Sequence, residues 1–308
     1  MKIKNFPDVN SWEQVALTSP EATFFHTPLW HKIVVKTYKH YRIATKEFTF
    51  DDGTRALIPF IQTTKRGLFK GKERLKSSVF NMYGGIISDI KLSTVQQNQI
   101  FNYLISLKAN ITIMGNPFSD YKLPKTFTCK EDFTDVIALD KGEEYIFQRL
   151  SRNARKSIRR AIKREVTVRT IQTEEEIKGY YEVYRDTINR WGDATKYIYP
   201  QEIFLNIFRD AGNAVKIWVA EKNGKIIAVL TVFYWNSLVT PFHTASLKDY
   251  FDCCPNNILH MEVIKDAINK NYRYYDFGPS GGEDGVVQFK KSFRAEKLFL
   301  VSGYWKPR

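Results

Sequence analysis

The chain has few cysteines, no long apolar run and no recognisable metal-binding motif. Its 308 residues include three cysteines, Cys129 and the adjacent pair Cys253 and Cys254, which excludes the disulfide framework of a small secreted protein. No Cys and His spacing is typical of zinc. No segment approaches the roughly 18 apolar residues of a membrane span, and the first residues lack the apolar region of a signal peptide. We therefore expect a cytoplasmic protein with no transmembrane segment, no metal and no tightly bound cofactor.

Acidic residues are also in deficit. Lys and Arg number 47 against 33 Asp and Glu, which gives a formal net charge of +14 at pH 7. A charge of this size favours an anionic partner: nucleic acid, a nucleotide- or phospholipid-linked substrate, or an anionic membrane surface. The hydrophobic fraction of 43% is enough to bury a substantial core, which excludes a disordered tail. Charge alone does not choose among the partners.

Basic residues are concentrated in segment 145–164, YIFQRLSRNARKSIRRAIKR. Its apolar residues recur every three or four positions, which predicts one amphipathic helix. These apolar residues are Phe147, Leu150, Ala154, Ile158, Ala161 and Ile162. No acidic residue lies between Glu144 and Glu165, so i,i+4 pairs do not neutralise the positive charge. The pattern indicates a helix that docks with one side and attracts anions with the other, and an ordinary solvated surface helix is the alternative.

The order of predicted elements indicates an α+β fold that repeats in outline. In the first half, two helices, the second beginning at Pro28, precede a hairpin at Asp51-Asp52-Gly53, a helix and a strand. In the second half, a strand and two helices precede a hairpin at Asn223-Gly224, then a strand, a helix and the strand YRYYDFG. The polar segment DKGEE separates the halves. We expect domains at 1–140 and 141–308, with the basic helix 145–164 at the start of the second.

Four blocks of the sequence resemble those of the Fem group of double-GNAT proteins. They are FFHTPLWHKI, SRNARKSIRRAIKREVTVR, NNILHMEVIKDAINKNYRYYDFG and GVVQFKKSFRAEK, and they span nearly the whole chain in this order. The group comprises peptidoglycan bridge-forming aminoacyltransferases and related FemABX or BioF2-like acyltransferases. The resemblance implies two tandem GNAT-like domains, each a mixed, mainly antiparallel twisted sheet flanked by helices. It also implies transfer of an aminoacyl or acyl group to a primary amine.

Three residues of the second half are candidates for catalysis. Lys290 lies where the Fem-type pattern has its Phe-Lys pair, and the resemblance implies that this lysine stabilises the oxyanion of the transition state, with Phe289 as a packing neighbour. Asp276, in the strand YRYYDFG, is a candidate for orienting or accepting the amine proton. An acid at a strand end also caps the following turn, and that is the alternative for Asp276. His243 lies on an alternating strand, a position more typical of a core histidine than of a base.

Further residues are candidates for binding substrates. The resemblance implies that Lys32 contacts the diphosphate of a nucleotide-sugar precursor, and Arg190 or Lys196 offers a second contact. The basic helix offers phosphate contacts to the donor, whether tRNA or coenzyme A. The full set of substrate-binding candidates is Lys32, Trp30, Tyr83, Arg190, Lys196, Arg155 and Arg159.

Two donors, and a role without catalysis, remain open. A conventional coenzyme A site has a Q/R-x-x-G-x-G/A turn at a helix start, whereas this chain reads DCCPNNILHM, which favours aminoacyl-tRNA as co-substrate and a cell-wall precursor as acceptor. The chain lacks a heptad segment long enough for the helical hairpin of staphylococcal-type members, which favours acyl-CoA and an amino sugar or other surface-polysaccharide precursor. Nucleic-acid binding without activity is supported by charge alone. Expected partners are a phosphate-bearing cell-wall or polysaccharide precursor, tRNA, and the inner face of the membrane by peripheral contact.

Overall fold

The computed structural model describes residues 1–63, 73–192, 197–280 and 284–307. The chain forms two compact units, Met1–Phe133 with Leu298–Arg308, and Thr134–Lys297. The boundary expected at 140/141 lies a few residues after the first boundary in the structure. The segment that follows the second unit along the chain belongs to the first. Its pairing partner is remote in sequence, which a local residue pattern does not show.

Helices and strands alternate along both units, and the predicted α+β class is confirmed. The α-helices of the described residues are α1 (Val9–Thr18), α2 (Pro28–Thr37), α3 (Thr94–Ser106), α4 (Gly142–Arg149), α5 (Arg152–Lys163), α6 (Glu176–Trp191), α7 (Gln201–Asp210), α8 (Pro255–Asn269) and α9 (Asp284–Ser292). The β-strands are β1 (Lys2–Asn5), β2 (Tyr41–Ile43), β3 (Lys46–Thr49), β4 (Arg55–Ile58), β5 (Ile61–Thr63), β6 (Arg74–Lys76), β7 (Ile87–Ser88), β8 (Asn110–Ile113), β9 (Thr128–Ala138), β10 (Thr167–Thr170), β11 (Val215–Lys222), β12 (Lys225–Trp235), β13 (Leu238–Ser246), β14 (Tyr274–Pro279) and β15 (Glu296–Trp305). None of these helices is both long and apolar enough to cross a lipid bilayer.

The first unit contains two groups of paired strands. One has the order β1-β3-β4-β7 and is antiparallel throughout. In the other, β2, β5 and β6 are antiparallel neighbours, β6 is parallel to β8, and β8 is antiparallel to β15. The predicted hairpin joins β3 and β4 through Asp51-Asp52-Gly53, where Gly53 has a φ of +85°. Helix α2 begins at Pro28 as predicted, and the Thr27 hydroxyl accepts the Trp30 N–H at 3.1 Å.

The second unit is built on a sheet with the order β10-β11-β12-β13-β14-β9. Its neighbours are antiparallel except β13 and β14, whose parallel pairing within the described residues joins Leu238 to Tyr274 and Val239 to Tyr275. The turn between β11 and β12 is the predicted Asn223-Gly224 pair, with positive φ angles of 51° and 72°, as a type I′ turn requires. Beyond Val239 and Tyr275 the two parallel strands no longer pair, and this separation positions the site described below.

The basic segment forms two helices, so the prediction of one helix over 145–164 is wrong. Helix α4 ends at Arg149 and α5 begins at Arg152. Between them Ser151 has extended backbone angles, and its hydroxyl accepts the Ala154 N–H at 3.1 Å. A serine at this position satisfies a free amide of a new helix, and this local hydrogen bond competes with continuation of the first helix. The amphipathic period alone does not show the break.

The two sides of α5 differ in exposure as predicted, with one exception. Ala154, Ile158 and Ala161 are buried against the core of the second unit. Ile162 is 61% exposed, so its assignment to the apolar side is wrong. We define the basic face of α5 as its exposed cations, which are Arg152, Lys156, Arg159, Arg160 and Lys163.

We predict that Ile158→Ala lowers the free energy of unfolding by about 2–5 kcal/mol, because it leaves a cavity under α5. Ile158 is 4% exposed, whereas Ile162 is 61% exposed, so Ile162→Ala is the matched control and should change stability by less than about 0.5 kcal/mol. Urea unfolding followed by circular dichroism measures both. Equal losses in the two variants would show that α5 docks by a different side.

Candidate functional site

A cavity of about 680 Å³ opens in the second unit where β13 and β14 separate. Its volume lies in the range of small-molecule sites. Residues 241–246 of β13, the first turn of α8 and the middle of α9 form most of its wall. The lining residues are Thr187, Arg190, Trp191, Pro241, Phe242, His243, Thr244, Ala245, Ser246, Phe251, Cys254, Pro255, Asn256, Asn257, His260, Phe277, Pro279, Gly285, Val286, Phe289 and Lys290.

A bulge in β13 shapes one side of the cavity. Thr231 of β12 pairs with His243 and Val232 pairs with Pro241, which leaves Phe242 as an extra residue. Successive residues of a regular strand point to opposite faces of a sheet, and a bulge redirects them. Consecutive residues of β13, Phe242 and His243, therefore both contribute to the wall.

Two of the three catalytic candidates line the cavity. Lys290 is 4% exposed, and its ammonium group donates a hydrogen bond to the carbonyl oxygen of Gly278. Phe289 packs with ring centroids 5.1 Å from both His260 and Phe293. A cation in such a water-poor wall acts strongly on negative charge that develops nearby. Helix α9, which carries both residues, was not among the elements predicted from the sequence.

Asp276 lies behind the wall, outside the set of lining residues. Its carboxylate accepts the Thr134 hydroxyl at 2.5 Å and the Gly278 N–H at 2.9 Å, and the residue is fully buried. This is the turn-capping geometry named above as the alternative for a strand-end acid. The Gly278 carbonyl oxygen accepts a hydrogen bond from Lys290. Asp276 therefore fixes the backbone of the residue that binds the lysine. Its role in taking an amine proton stays a prediction.

Asp135 and His260 also lie at the site, and neither is among the residues predicted from the sequence. Asp135 on β9 is 2% exposed; burial raises its pKa, and the positive charge of Lys290 opposes that rise. An acid inside the apolar strand FTDVIAL was the available indication, since a buried carboxylate needs a partner. His260 Nδ1 lies 2.5 Å from the Tyr275 hydroxyl, and its ring stacks on Phe277. Burial, followed by the Lys290 charge, lowers the pKa of His260 to about 3, so this ring is neutral.

The rim of the cavity includes Arg190, one of the substrate-binding candidates. Its guanidinium donates to Asp186 at 2.8 Å and to Thr187 at 3.2 Å, and it lies 4.8 Å from the ring centre of Phe251. These contacts fix the side chain at the edge of the cavity. Lys196, predicted as its companion, lies outside the described residues.

The other binding candidates lie elsewhere. Trp30 and Tyr83 are 1% and 0% exposed in the core of the first unit, where they pack on Phe25. Lys32 is exposed on α2 of the same unit. Arg155 donates to the backbone oxygens of Gln148 and Leu150, which closes the break between α4 and α5. The structure thus gives Trp30, Tyr83 and Arg155 packing or structural contacts.

Arg159, the remaining binding candidate, is exposed on the basic face of α5. Its guanidinium lies 5.8 Å from the ring centre of Phe147, and the side chain remains exposed to solvent. Of the two arginines predicted on this helix, it is the one available to an anion.

Helix α8 begins at the cavity in an unusual way. Cys254 precedes its first residue with a φ of 55° and a ψ of 44°, a left-handed conformation that glycine adopts most easily. No side chain caps this helix start. Its first residue, Pro255, has no N–H, and the Asn257 N–H donates to the carbonyl oxygen of Cys254 at 3.2 Å. The residue pattern DCCPNN lacks the glycines of a phosphate-binding turn, yet Cys254 supplies a glycine-like backbone conformation at that point.

Comparison with known families identifies this architecture. Residues 148–291 match the family model described as an acetyltransferase (GNAT) domain. The second unit is a GNAT domain. Its cavity lies where the parallel strands β13 and β14 of that domain separate. Among curated proteins, no sequence matches the chain.

Solved structures extend the similarity to the whole chain. FemX matches with a TM-score of 0.71 at 13% identity, over 98% of this chain and 97% of FemX. A conserved protein of unknown function from Bacteroides thetaiotaomicron matches with 0.64 at 14% identity, over 99% and 100%. L-PGS from Bacillus licheniformis matches with 0.52 at 12% identity, over 86% and 85%. At these identities the likeness concerns the fold. The likeness confirms the Fem-type fold, and the match of residues 148–291 to the GNAT model supports an acyltransferase.

Buried histidines make the stability of the protein depend on pH. Burial lowers the pKa of His26 and His31 to about 4, and that of His243 and His260 to about 3. Below an unfolded-state pKa of about 6.5, the unfolded chain binds protons that the folded chain excludes. The free energy of unfolding therefore falls as pH decreases through this range.

We predict that acidification from pH 7 to pH 5 lowers the free energy of unfolding, with a contribution of roughly 2 kcal/mol from His260 alone. His260→Gln should reduce this loss, because glutamine does not titrate. His40 is exposed, so His40→Gln is the control and should keep the dependence of the wild type. Urea unfolding at the two pH values gives the difference. The same pH dependence in all three proteins would argue against a neutral, buried His260.

Proposed function

We propose that the GNAT domain catalyses, in this cavity, the transfer of an acyl group to a primary amine. The observation that carries this proposal is the buried ammonium group of Lys290 in the wall of the cavity that separates β13 from β14. When an amine attacks an ester or thioester carbonyl, negative charge develops on the carbonyl oxygen. A preorganised cation at that point lowers the barrier, and this is commonly the largest single catalytic contribution.

The groups behind Lys290 support this role. Gly278 accepts a hydrogen bond from Lys290, and Asp276 and Thr134 fix the backbone around Gly278. Asp135 adds a buried negative charge that interacts with the lysine. In the proposed reaction the amine nitrogen bonds to the acyl carbon, the bond from that carbon to the donor breaks, and Lys290 stabilises the oxyanion between these events. No covalent enzyme intermediate is needed.

The donor we propose is an aminoacyl-tRNA, and the acceptor an amine of a cell-wall precursor. The basic face of α5 supports a large phosphate-bearing donor, because its cations extend over 12 residues, or about 17 Å of helix. Such a row neutralises several successive phosphates. Arg164 at the end of α5 pairs with Asp252, two residues before Cys254 of the cavity wall. This pair connects the basic face with the cavity rim.

A second candidate is transfer from acyl-CoA to an amino sugar or other surface-polysaccharide precursor. The start of α8, which no side chain caps and where Cys254 has a left-handed conformation, favours it, since the N-terminus of a helix attracts the negative charge of a pyrophosphate. The family model is also described as an acetyltransferase domain. Under either candidate, Arg190 at the rim and Lys32 on α2 are proposed contacts for phosphates, and the protein acts in the cytoplasm at the inner face of the membrane.

We predict that Lys290→Ala lowers kcat/KM by about 100- to 1,000-fold, the usual loss when one oxyanion-stabilising group is removed. Lys291 is the next residue and is exposed, so Lys291→Ala provides a matched control that should keep wild-type activity. Steady-state rates with radiolabelled aminoacyl-tRNA or acetyl-CoA, and a panel of primary amines, measure the effect. Circular dichroism verifies folding. Unchanged activity in a folded Lys290→Ala protein would refute the oxyanion role.

We also predict that replacing Lys156, Arg160 and Lys163 together by glutamine weakens tRNA binding. The slope of log affinity against log salt should decrease in magnitude by about 2 to 3, one step for each lost phosphate contact. Filter binding with charged tRNA over a salt series measures the slope.

The control for this triple variant replaces three exposed lysines of the first unit, Lys4, Lys108 and Lys125, and so removes the same charge elsewhere. Equal slopes in the two triple variants would contradict a specific role of the basic face. Saturable binding of acetyl-CoA without binding of tRNA would replace the first candidate by the second.

A further inference from the structure

His243 is held by one ring nitrogen and presents the other to the cavity. Its Nδ1 lies 2.6 Å from the Tyr180 hydroxyl, which lies 2.9 Å from the hydroxyl of Thr231. The residue lines the cavity. Within the described part of the chain, Nε2 takes part in no hydrogen bond, and this differs from His31, whose two nitrogens lie 3.0 and 2.9 Å from backbone oxygens. The interpretation of His243 as a fully satisfied core histidine therefore does not fit.

Aromatic rings fix the plane of this imidazole. Tyr184 approaches it nearly perpendicularly with centroids 4.3 Å apart, Phe204 lies at 5.0 Å, and Tyr199 lies at 5.7 Å. The bulge at Phe242 shifts the register of β13 next to His243, and His243 lies in the cavity wall. A side chain locked by packing and by one hydrogen bond keeps its second nitrogen in a defined place, which is the condition for acting on a bound amine.

Burial keeps the His243 ring neutral, because it lowers the pKa to about 3. A neutral imidazole has one N–H and one lone pair. If the N–H is on Nδ1, it donates to the Tyr180 oxygen, the Tyr180 hydroxyl donates to Thr231, and the lone pair is on Nε2. This arrangement uses both hydroxyl contacts of Tyr180 and leaves an acceptor facing the cavity.

We propose that His243 Nε2 accepts a hydrogen bond from the attacking amine and takes its proton. The proposal rests on acyl transfer in this cavity. The amine lone pair forms the bond to the acyl carbon, the bond from that carbon to the ester oxygen or thioester sulfur breaks, and the leaving group departs with the electron pair. The proton moves from the amine nitrogen to Nε2 and then to the leaving group. Lys290 stabilises negative charge on the acyl oxygen, and His243 accepts the proton of the amine. Tyr180 is a positioning residue that holds the His243 ring.

Chemical modification tests the accessible lone pair without any substrate. Diethyl pyrocarbonate acylates unprotonated imidazole nitrogens, and peptide mass spectrometry locates the product. The expected result is modification of His243 and of exposed His40, with His31 much slower because it is buried and both its nitrogens are engaged. Modification of His243 no faster than that of His31 would overturn the proposal.

Kinetics test the proton transfer. His243→Ala should lower kcat/KM for the amine by about 100- to 10,000-fold, with unchanged affinity for the donor. His243→Gln, which offers an acceptor without basicity, should recover amine KM more than kcat. Tyr180→Phe should cost about tenfold, the effect of one lost hydrogen bond. His40→Ala is the control.

The two proposals fail in different ways. Full turnover by folded His243→Ala protein would overturn the role of His243 and leave acyl transfer intact. If His243→Ala does not fold, His243→Gln and the modification experiment decide. No turnover by the wild type with aminoacyl-tRNA or acetyl-CoA and any amine of the panel would overturn the proposed function, and the role of His243 with it.

Discussion

The end of pairing between two parallel strands, β13 and β14, is the constraint on which the second unit depends. Up to Val239 and Tyr275 the strands pair as in an ordinary sheet, and beyond them each strand takes a different course. The opening brings the bulged end of β13, the start of α8 and the middle of α9 around one cavity. Side chains from three distant parts of the chain meet there because the sheet, rather than any local motif, fixes their positions.

The same opening explains why so many polar groups are buried in this unit. Lys290, Asp276 and Asp135 have exposed fractions of 4%, 0% and 2%, and each would be costly without a partner. Backbone atoms of Gly278 and the Thr134 hydroxyl supply partners for the lysine and for Asp276. The polar wall is therefore prearranged before a substrate arrives, which is how a site stabilises developing charge without reorganising.

Adjacent residues predict the turns and most helices of this fold, whereas contacts between residues distant in sequence determine the geometry of the site. The turn at Asn223-Gly224 and the helix start at Pro28 match their predictions, because a type I′ turn and a helix start depend on adjacent residues. The break at Ser151 does not follow from the apolar period, because the period continues through the serine that caps α5. Lys290 was found through resemblance to a family. Asp135 interacts with Lys290, and His243 contacts Tyr180; both partners are more than 60 positions away in sequence, so a local pattern does not predict these contacts.

The pairing of β15 with β8 has a consequence for the order in which the protein folds. The first unit is discontinuous, since the whole second unit, Thr134–Lys297, lies in sequence between β8 and most of β15. During synthesis the second unit is complete before most of β15 exists, so its sheet can form while β8 still lacks that neighbour. Closing the first unit then means joining segments separated by more than 180 residues, a late step because most of β15 is synthesised after the second unit.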